Sequence, residues 1–359
     1  MRKRIKRFLY YYFNIRNRAK WVRGDLRMKL SINNFNLEHQ SDIDTYWSRF
    51  RGKYDPRWFD LYNSINQGMY DLKYYIPDDF YYCYIDAFFA ERKKCLMYDN
   101  KNMYDLYFHD VIQPKTIVRN IDGVFLNNRY EIVDLQEAKE MCLEEGYVII
   151  KPSVNSEGGK GISFFNKNDD DENILDKLLS RQNIIVQEVI QQHESFAKIH
   201  PSSINTIRIM TLVFDNRVHV LSSVLRMGVN NAQVDNASSG GIVCGIQMSG
   251  QLKSVAYDIK ANKYERHPQG GKFENIIIPN LNNCYELVKR LALRFVGITK
   301  LISWDLAIGV DGEPILIEAN LSFGQIDFHQ LCNGPIFKEM TDEILCYIAK
   351  NNILLNRKL

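Results

Sequence analysis

The rhythm of apolar and polar positions changes near residue 115. In the head, Ile5, Phe8, Leu9, Tyr12 and Phe13 follow the i, i+3, i+4, i+7, i+8 spacing of one helix face. Residues 25–95 are crowded with aromatics, mostly at helical spacing, interrupted at Pro56 and Pro77. After residue 115, strand-like runs alternate with short helices. A helix is expected over Leu135–Glu145, closed by Gly146, with strands over 147–151 and 161–165. A helix over 172–182 and a strand over 183–190 follow. "NTIRIMTLVF", "RVHVLSSVLRMG" and "GGIVCGIQM" read as successive antiparallel strands. A helix over 283–295, a hairpin over 302–324 and a closing helix over 336–351 complete the chain. Strands and helices segregate rather than alternate strictly, which is the pattern of an α+β fold.

The hairpin "ISWDLAIGVDGEPILIEANLSFG" carries Asp305, Glu318 and Asn320 among apolar residues. Asp311-Gly312 reads as a two-residue turn. With that turn, Asp305 faces Glu318 directly, and Asn320 lies on their face, two residues on. Trp304, Leu306, Ile308, Ile315, Ile317 and Ala319 are then expected in the core. Directly opposed acids repel by roughly 0.2–1 kcal/mol when exposed, and more when buried. A divalent cation between them would remove that cost. Hard oxygen ligands, with no His or Cys nearby, favour Mg²⁺, which commonly shares its shell with nucleotide phosphates. The plainer alternative is a solvated hairpin edge with unrelated acids.

"VIIKPSVNSEGGKGISFF" reads as strand, glycine-rich loop, strand. Gly158, Gly159 and Gly161 permit backbone conformations that bring N–H groups onto phosphate oxygens, and Ser156 and its neighbours add donors. Lys151 projects from the strand end. A strand after the loop excludes the P-loop and the dinucleotide fingerprint, which both require a helix there. Downstream, the backbone of Glu188, Val189 and Ile190 is placed to read an adenine edge. Glu194, with His193 as its rival, would meet a ribose; the plainer alternative for each is a surface polar residue. Arg208 and Arg226 lie in apolar strands, and buried arginines need anionic partners. Either would hold a transferred phosphoryl group or a carboxylate, or serve a structural ion pair. The loop 235–241 offers further hydrogen bonds to a substrate.

Charge changes this picture only at the amino terminus. Residues 1–24 carry nine Lys/Arg and no acid, so the remaining body has 37 basic against 43 acidic residues. A mildly acidic body argues against nucleic-acid binding. The basic amphipathic head fits either an anionic membrane surface or packing on the body. Seven scattered cysteines, none in a Cys-x-x-Cys pair, read as a reduced, cytoplasmic chain.

Together these blocks resemble the ATP-grasp superfamily over roughly residues 96–350. The chain is more closely similar to the sugar-transfer-associated group of glutamate-ligase-like enzymes. The matching stretches are "NTIRIMT", "LRMGVNNAQVDNASSGG", "HPQGGKFENIIIPN", "SWDLAIGVDGEP" and "LIEANLSFGQIDFHQ". The resemblance implies two α+β subdomains, 96–190 and 191–359, clamping ATP, behind a basic helix (1–24) and an aromatic helical region (25–95). It implies Lys101 as the first nucleotide lysine, Lys151 as the second and the loop over 155–161 as a lid. Gln187 joins Glu188–Ile190 as the adenine segment, and Asp305, Glu318 and Asn320 hold Mg²⁺. The implied activity is a carboxylate ligase working through an acylphosphate on a small-molecule or glycan-linked substrate, at or near the inner membrane face, in surface polysaccharide biosynthesis. A kinase, or a nucleotide-binding scaffold without turnover, is the alternative. Many such ligases carry an Arg two residues before the first metal Asp. Ser303 stands there, leaving Arg208 or Arg226 to stabilise the transferred group.

Overall fold

The computed structural model describes residues 16–30, 40–50, 52–66, 68–154 and 158–352. Two antiparallel sheets organise the chain. The smaller has the order β2-β1-β5-β3-β4, from β1 (Thr116–Ile121), β2 (Val124–Asn127), β3 (Tyr147–Pro152), β4 (Ser163–Asn166) and β5 (Ile184–Glu188). The larger has the order β10-β9-β8-β7-β6-β11-β12. Its strands are β6 (Thr206–Phe214), β7 (Arg217–Met227), β8 (Ile242–Ile246), β9 (Leu252–Tyr257), β10 (Lys263–Tyr264), β11 (Leu301–Ile308) and β12 (Pro314–Asn320).

The smaller sheet carries helices Leu135–Glu145 and Glu172–Leu179 on a core of Val118, Val148, Ile150, Phe165, Leu175 and Val186. The first helix begins at a capping box, in which the Asp134 carboxylate accepts from the Glu137 N–H and the Glu137 carboxylate from the Asp134 N–H. It ends at Gly146, whose φ of 82° suits a residue without Cβ.

The larger sheet is covered on both faces. Helix Leu281–Ala292 buries Cys284, Val288 and Leu291 against one face. The aromatic region and helices Asp327–Asn333 and Thr341–Asn351 cover the other. Helix Arg57–Asn66 turns Trp58, Phe59, Leu61, Tyr62 and Ile65 inward. Gln330 ties that region down: its amide donates to the Tyr62 hydroxyl and the Ile76 carbonyl and accepts from the Ile76 N–H. Helix Arg16–Leu30 runs through the expected boundary at residue 24 and buries Val22 and Leu26 in this core. The head's apolar stripe, Ile5 to Phe13, lies outside the described residues. Among the described residues no helix is long and apolar enough to cross a membrane.

The hairpin departs from expectation in two places that cancel. The turn occupies Gly309–Glu313, where the Gly309 N–H bonds the Glu313 carbonyl and the Gly312 N–H bonds the Gly309 carbonyl. This shifts the pairing by one residue. A bulge then leaves Ile317 unpaired between Leu306↔Leu316 and Asp305↔Glu318, restoring the expected opposition of the acids. The bulge also breaks the alternation of faces. Leu316 and Ala319 are buried, whereas Ile317, expected in the core, lines a cavity beside Glu318.

Candidate active site

A cavity of about 1050 Å³ is lined by residues of both sheets. β3 supplies Ile149 and Lys151, β6 Arg208, β7 Arg226, β11 Asp305, and β12 Ile317, Glu318 and Asn320. The cavity therefore gathers the metal set, both arginines, both lysines, two loop glycines and Glu188–Ile190.

Asp305 is buried, and its carboxylate is gripped by two arginines. Arg208 donates from Nε to Oδ1 and from Nη2 to Oδ2, both at 2.7 Å, and Arg226 Nη1 reaches Oδ2 at 3.1 Å. Burial alone would raise its pKa; the Arg208 and Arg226 charges overcome this and hold it below the ordinary carboxylate value. Arg208 is shifted upward: burial opposes its charge, and Asp305 more than compensates. Arg226 also binds Asp235 Oδ1 at 2.9 Å and Asn236 Oδ1 at 2.5 Å. Glu318 Oε1 accepts from Lys101 Nζ at 2.7 Å. Each opposed acid thus has a protein cation of its own, and their opposition alone no longer calls for a metal.

The donor chemistry nevertheless suits one. A carboxylate offers about four acceptor positions, and three of those on Asp305 are used. Asn320 Nδ2 is buried without a hydrogen bond of ordinary geometry among the described residues, though the amide stands close enough to Asp305 to help hold its carboxylate down. An amide's orientation is fixed by its partners, and turned over it would present Oδ1 beside the acids. Two carboxylates and an amide oxygen form a hard set suited to Mg²⁺. Among the described residues no group of three His, Cys, Asp or Glu forms an alternative metal site.

Lys151 differs. It is 9% exposed. Burial, and then repulsion from Lys101, lowers its pKa to about 8. Among the described residues it has no salt-bridge partner. The glycine loop lies against residues 236–238. A Cβ on Gly159 would stand 2.4 Å from Asn236 Nδ2, and one on Gly158 3.0 Å from Ser238 Oγ, and both glycines have positive φ. Ser156 lies outside the described residues. Around Glu188–Ile190, the cavity wall is apolar: Pro114, Ile149, Ile162 and Phe164.

Three expected nucleotide residues lie elsewhere. Gln187 is not in the cavity wall, and its amide donates to the Pro114 carbonyl. His193 caps the short helix Glu194–Ala197 through its ring nitrogen, and Glu194 is 76% exposed beside Lys198. Neither lines the cavity.

Other wall residues escaped the sequence reading. His329 lines the cavity, completely buried, with Nδ1 on Ser222 Oγ at 2.9 Å. Burial, then Arg208, pushes its pKa down to about 3, so it is neutral. Asp235, seen before only as part of a small-residue loop, anchors Arg226 and accepts from the Thr206 backbone N–H and hydroxyl. No local pattern marks either residue. Ser303, at the position where an Arg was looked for, is fully buried, and a Cβ on Gly324 would stand 2.5 Å from its Oγ. A larger side chain has no room there.

A family model described as sugar-transfer associated ATP-grasp matches residues 84–344. The chain belongs to this family. Its two antiparallel sheets and helices form an ATP-grasp fold. The helical, aromatic-rich region lies largely ahead of the matched segment. Among solved structures, the chain is similar to D-alanyl-alanine synthetase A from Vibrio cholerae O1 biovar eltor str. N16961, at 10% identity, covering 70% of this chain and 64% of that one, with a TM-score of 0.40. It is similar to the ATP-grasp ligase PsnB complexed with a precursor variant, Mg and ADP, at 14% identity, 72% and 61% coverage and a TM-score of 0.41. It is also similar to the biotin carboxylase domain of the Hydrogenobacter thermophilus 2-oxoglutarate carboxylase, at 16% identity, 72% and 46% coverage and a TM-score of 0.42. The chain spans 61–64% of the length of the first two. A search of curated proteins returns no match.

Proposed function

We propose that this ATP-grasp chain is an ADP-forming, magnesium-dependent ligase of the carboxylate–amine type, acting in surface polysaccharide biosynthesis. The observation that carries the reading is Lys151, a buried cation with no salt-bridge partner among the described residues, in the same cavity as Lys101, the glycine loop and the acid pair. A buried ammonium without a counter-charge is costly, and nucleotide phosphates would supply the missing charge. In this reading the segments 96–190 and 191–359 are the two halves of the clamp.

The adenine occupies the apolar slot at Pro114, Ile149, Ile162 and Phe164, reading the backbone of Glu188–Ile190. Lys101 exchanges Glu318 for phosphate oxygen, beside Lys151, and the glycines around 158–161 cover them. Glu318, Asn320 and Asp305 would hold magnesium, which would supply positive charge to the phosphates. The substrate carboxylate attacks the γ-phosphorus; the bond to the bridging oxygen breaks, and its electrons leave with ADP. The acceptor amine then attacks the acyl carbon. A C–N bond forms, the C–O bond to phosphate breaks, and a proton is released with the phosphate. Positioning and electrostatics carry such a transfer without a protein nucleophile. Arg208 and Arg226 hold Asp305, and Arg208 Nη1, outside that pair, is assigned to the transferred phosphoryl oxygens.

An ADP-release screen over carboxylates and amines, with hydroxylamine present, tests the reading. A hydroxamate that forms with wild type and not with Glu318→Gln supports an acylphosphate. ADP release without hydroxamate, leaving a stable phosphorylated product, replaces the ligase with a kinase. Mg·ATP binding without ADP release under any condition leaves a scaffold. The basic head is assigned to an anionic membrane surface at the cytoplasmic face. Deleting residues 1–15 tests this without disturbing Val22 and Leu26, and unchanged sedimentation with anionic liposomes removes it.

A further inference from the structure

The cavity has a second group of wall residues, of opposite charge. Asp25, Asp78 and Asp327 line it, together with the rings of Trp21, Tyr82 and Phe328. Four of these six, Trp21, Asp25, Asp78 and Tyr82, precede residue 84, where the family match begins. They come from helix Arg16–Leu30 and the helical run 78–89, which the aromatic core and Gln330 fix against the larger sheet.

The three aspartates share one described ammonium. Lys29 Nζ meets Asp327 Oδ2 at 2.5 Å, and its charge also acts on Asp25 and Asp78. The neighbouring Arg23 is taken by Asp79 at 2.8 Å. Asp327 is 5% exposed, and its Oδ1 has no hydrogen-bond partner among the described residues. Asp78 accepts from the Tyr62 hydroxyl at 2.6 Å. Burial, and then the charge of Asp327, raises the Asp78 pKa well above the usual carboxylate value; burial also raises that of Asp25. Carboxylates in this state lack positive charge, not hydrogen-bond acceptors. One of these rings already faces a cation, since Lys29 Nζ stands 5.7 Å from the Phe328 centroid.

We propose that this part of the cavity is the subsite for the acceptor amine, which binds as its ammonium between Asp25, Asp78 and Asp327 and against Trp21, Tyr82 and Phe328, and gives one proton to these carboxylates to recover the lone pair that attacks. This rests on the ligase reading above. A primary ammonium brings three donors and a full charge to acids that share one ammonium among the described residues. A hydroxyl acceptor of the same shape brings one donor, enough for Asp327 Oδ1, but no charge to set against the three acids. The subsite therefore selects amines over alcohols.

Cyclohexylammonium and cyclohexanol share a ring and differ in charge, so they serve as probes. Both are titrated into the full chain and followed by NMR. The ammonium is expected to bind at least tenfold more tightly than the alcohol, and Asp327→Asn to weaken it at least tenfold. Asp25→Asn, at an exposed helix position that leaves folding intact, is expected to weaken it at least threefold. Equal binding of the two probes, or unchanged ammonium affinity in Asp25→Asn, overturns the proposal. Titrating the same wild-type sample with Mg·ATP separates the two readings. Ammonium binding without Mg·ATP binding removes the ligase and keeps the subsite; the reverse removes the subsite alone.

Discussion

Lys151 and Asp305 stand in the wall of one cavity, 9% and 4% exposed, and their charges are balanced in opposite ways. Asp305 accepts three hydrogen bonds from two arginines. Lys151 has no salt-bridge partner among the described residues; burial and then Lys101 lower its pKa to about 8, against a weaker pull from Glu318. Desolvation penalises both groups; among the described residues only the acid has hydrogen-bonded partners of opposite charge. The acid end is therefore organised before any ligand arrives, and the lysine end is completed by one.

The largest expected effect breaks the compensated side. Arg208→Met would leave Asp305 buried with Arg226 alone, and removing one member of a buried pair costs about 3–5 kcal/mol. Urea unfolding should show a loss of that size. A loss below about 1 kcal/mol would mean that Arg208 does not balance Asp305.

The uncompensated side should respond to pH. Lys151 titrates near 8 in the fold and near its ordinary 10.5 when unfolded. Between these values the unfolded chain holds more protons, so Lys151 makes stability rise with pH through the window. Unfolding wild type and Lys151→Met side by side from pH 8 to 10.5 should show wild type gaining on the variant, by about 3 kcal/mol in total. A constant difference would contradict the burial of an uncompensated ammonium.

Smaller effects sharpen the role of the glycine loop. Gly159→Ala places a Cβ 2.4 Å from Asn236 Nδ2 at a φ of 74°. It should cost about 1–2 kcal/mol in melting experiments and weaken Mg·ATP binding. Gly24→Ala, inside helix Arg16–Leu30 with nothing within 4 Å of the new Cβ, should instead raise stability, by up to about 1 kcal/mol.

Local features were legible in the sequence. Helix Leu135–Glu145 was readable up to its closing glycine, and Gly158, Gly159 and Gly161 from the backbone freedom of glycine. The opposition of Asp305 and Glu318 was reached through a turn that is not there, because the bulge at Ile317 undid the error. Long-range partners were not legible. Arg208 meets Asp305 across 97 residues and Lys101 meets Glu318 across 217, and no spacing in the chain encodes either pairing. His193 and Glu194 stand outside the cavity wall for a related reason. A polar residue after a strand faces whatever the packing of the next helix dictates, and here it caps that helix or faces water. The Asp25, Asp78 and Asp327 group joins a helix near one end of the chain to one near the other, and each acid alone reads as an ordinary surface charge.

The central claim is that Lys151 awaits nucleotide phosphate. Titrating wild type and Lys151→Met with Mg·ATP, with melting temperatures taken on the same samples, tests it most directly. A charge-assisted contact to phosphate is worth about 1.5–3 kcal/mol, so the variant should bind roughly ten- to hundredfold more weakly. It should melt no lower than wild type, because an uncompensated buried charge has been removed. Equal Mg·ATP affinity in the two proteins, or a variant that melts well below wild type, would contradict the account.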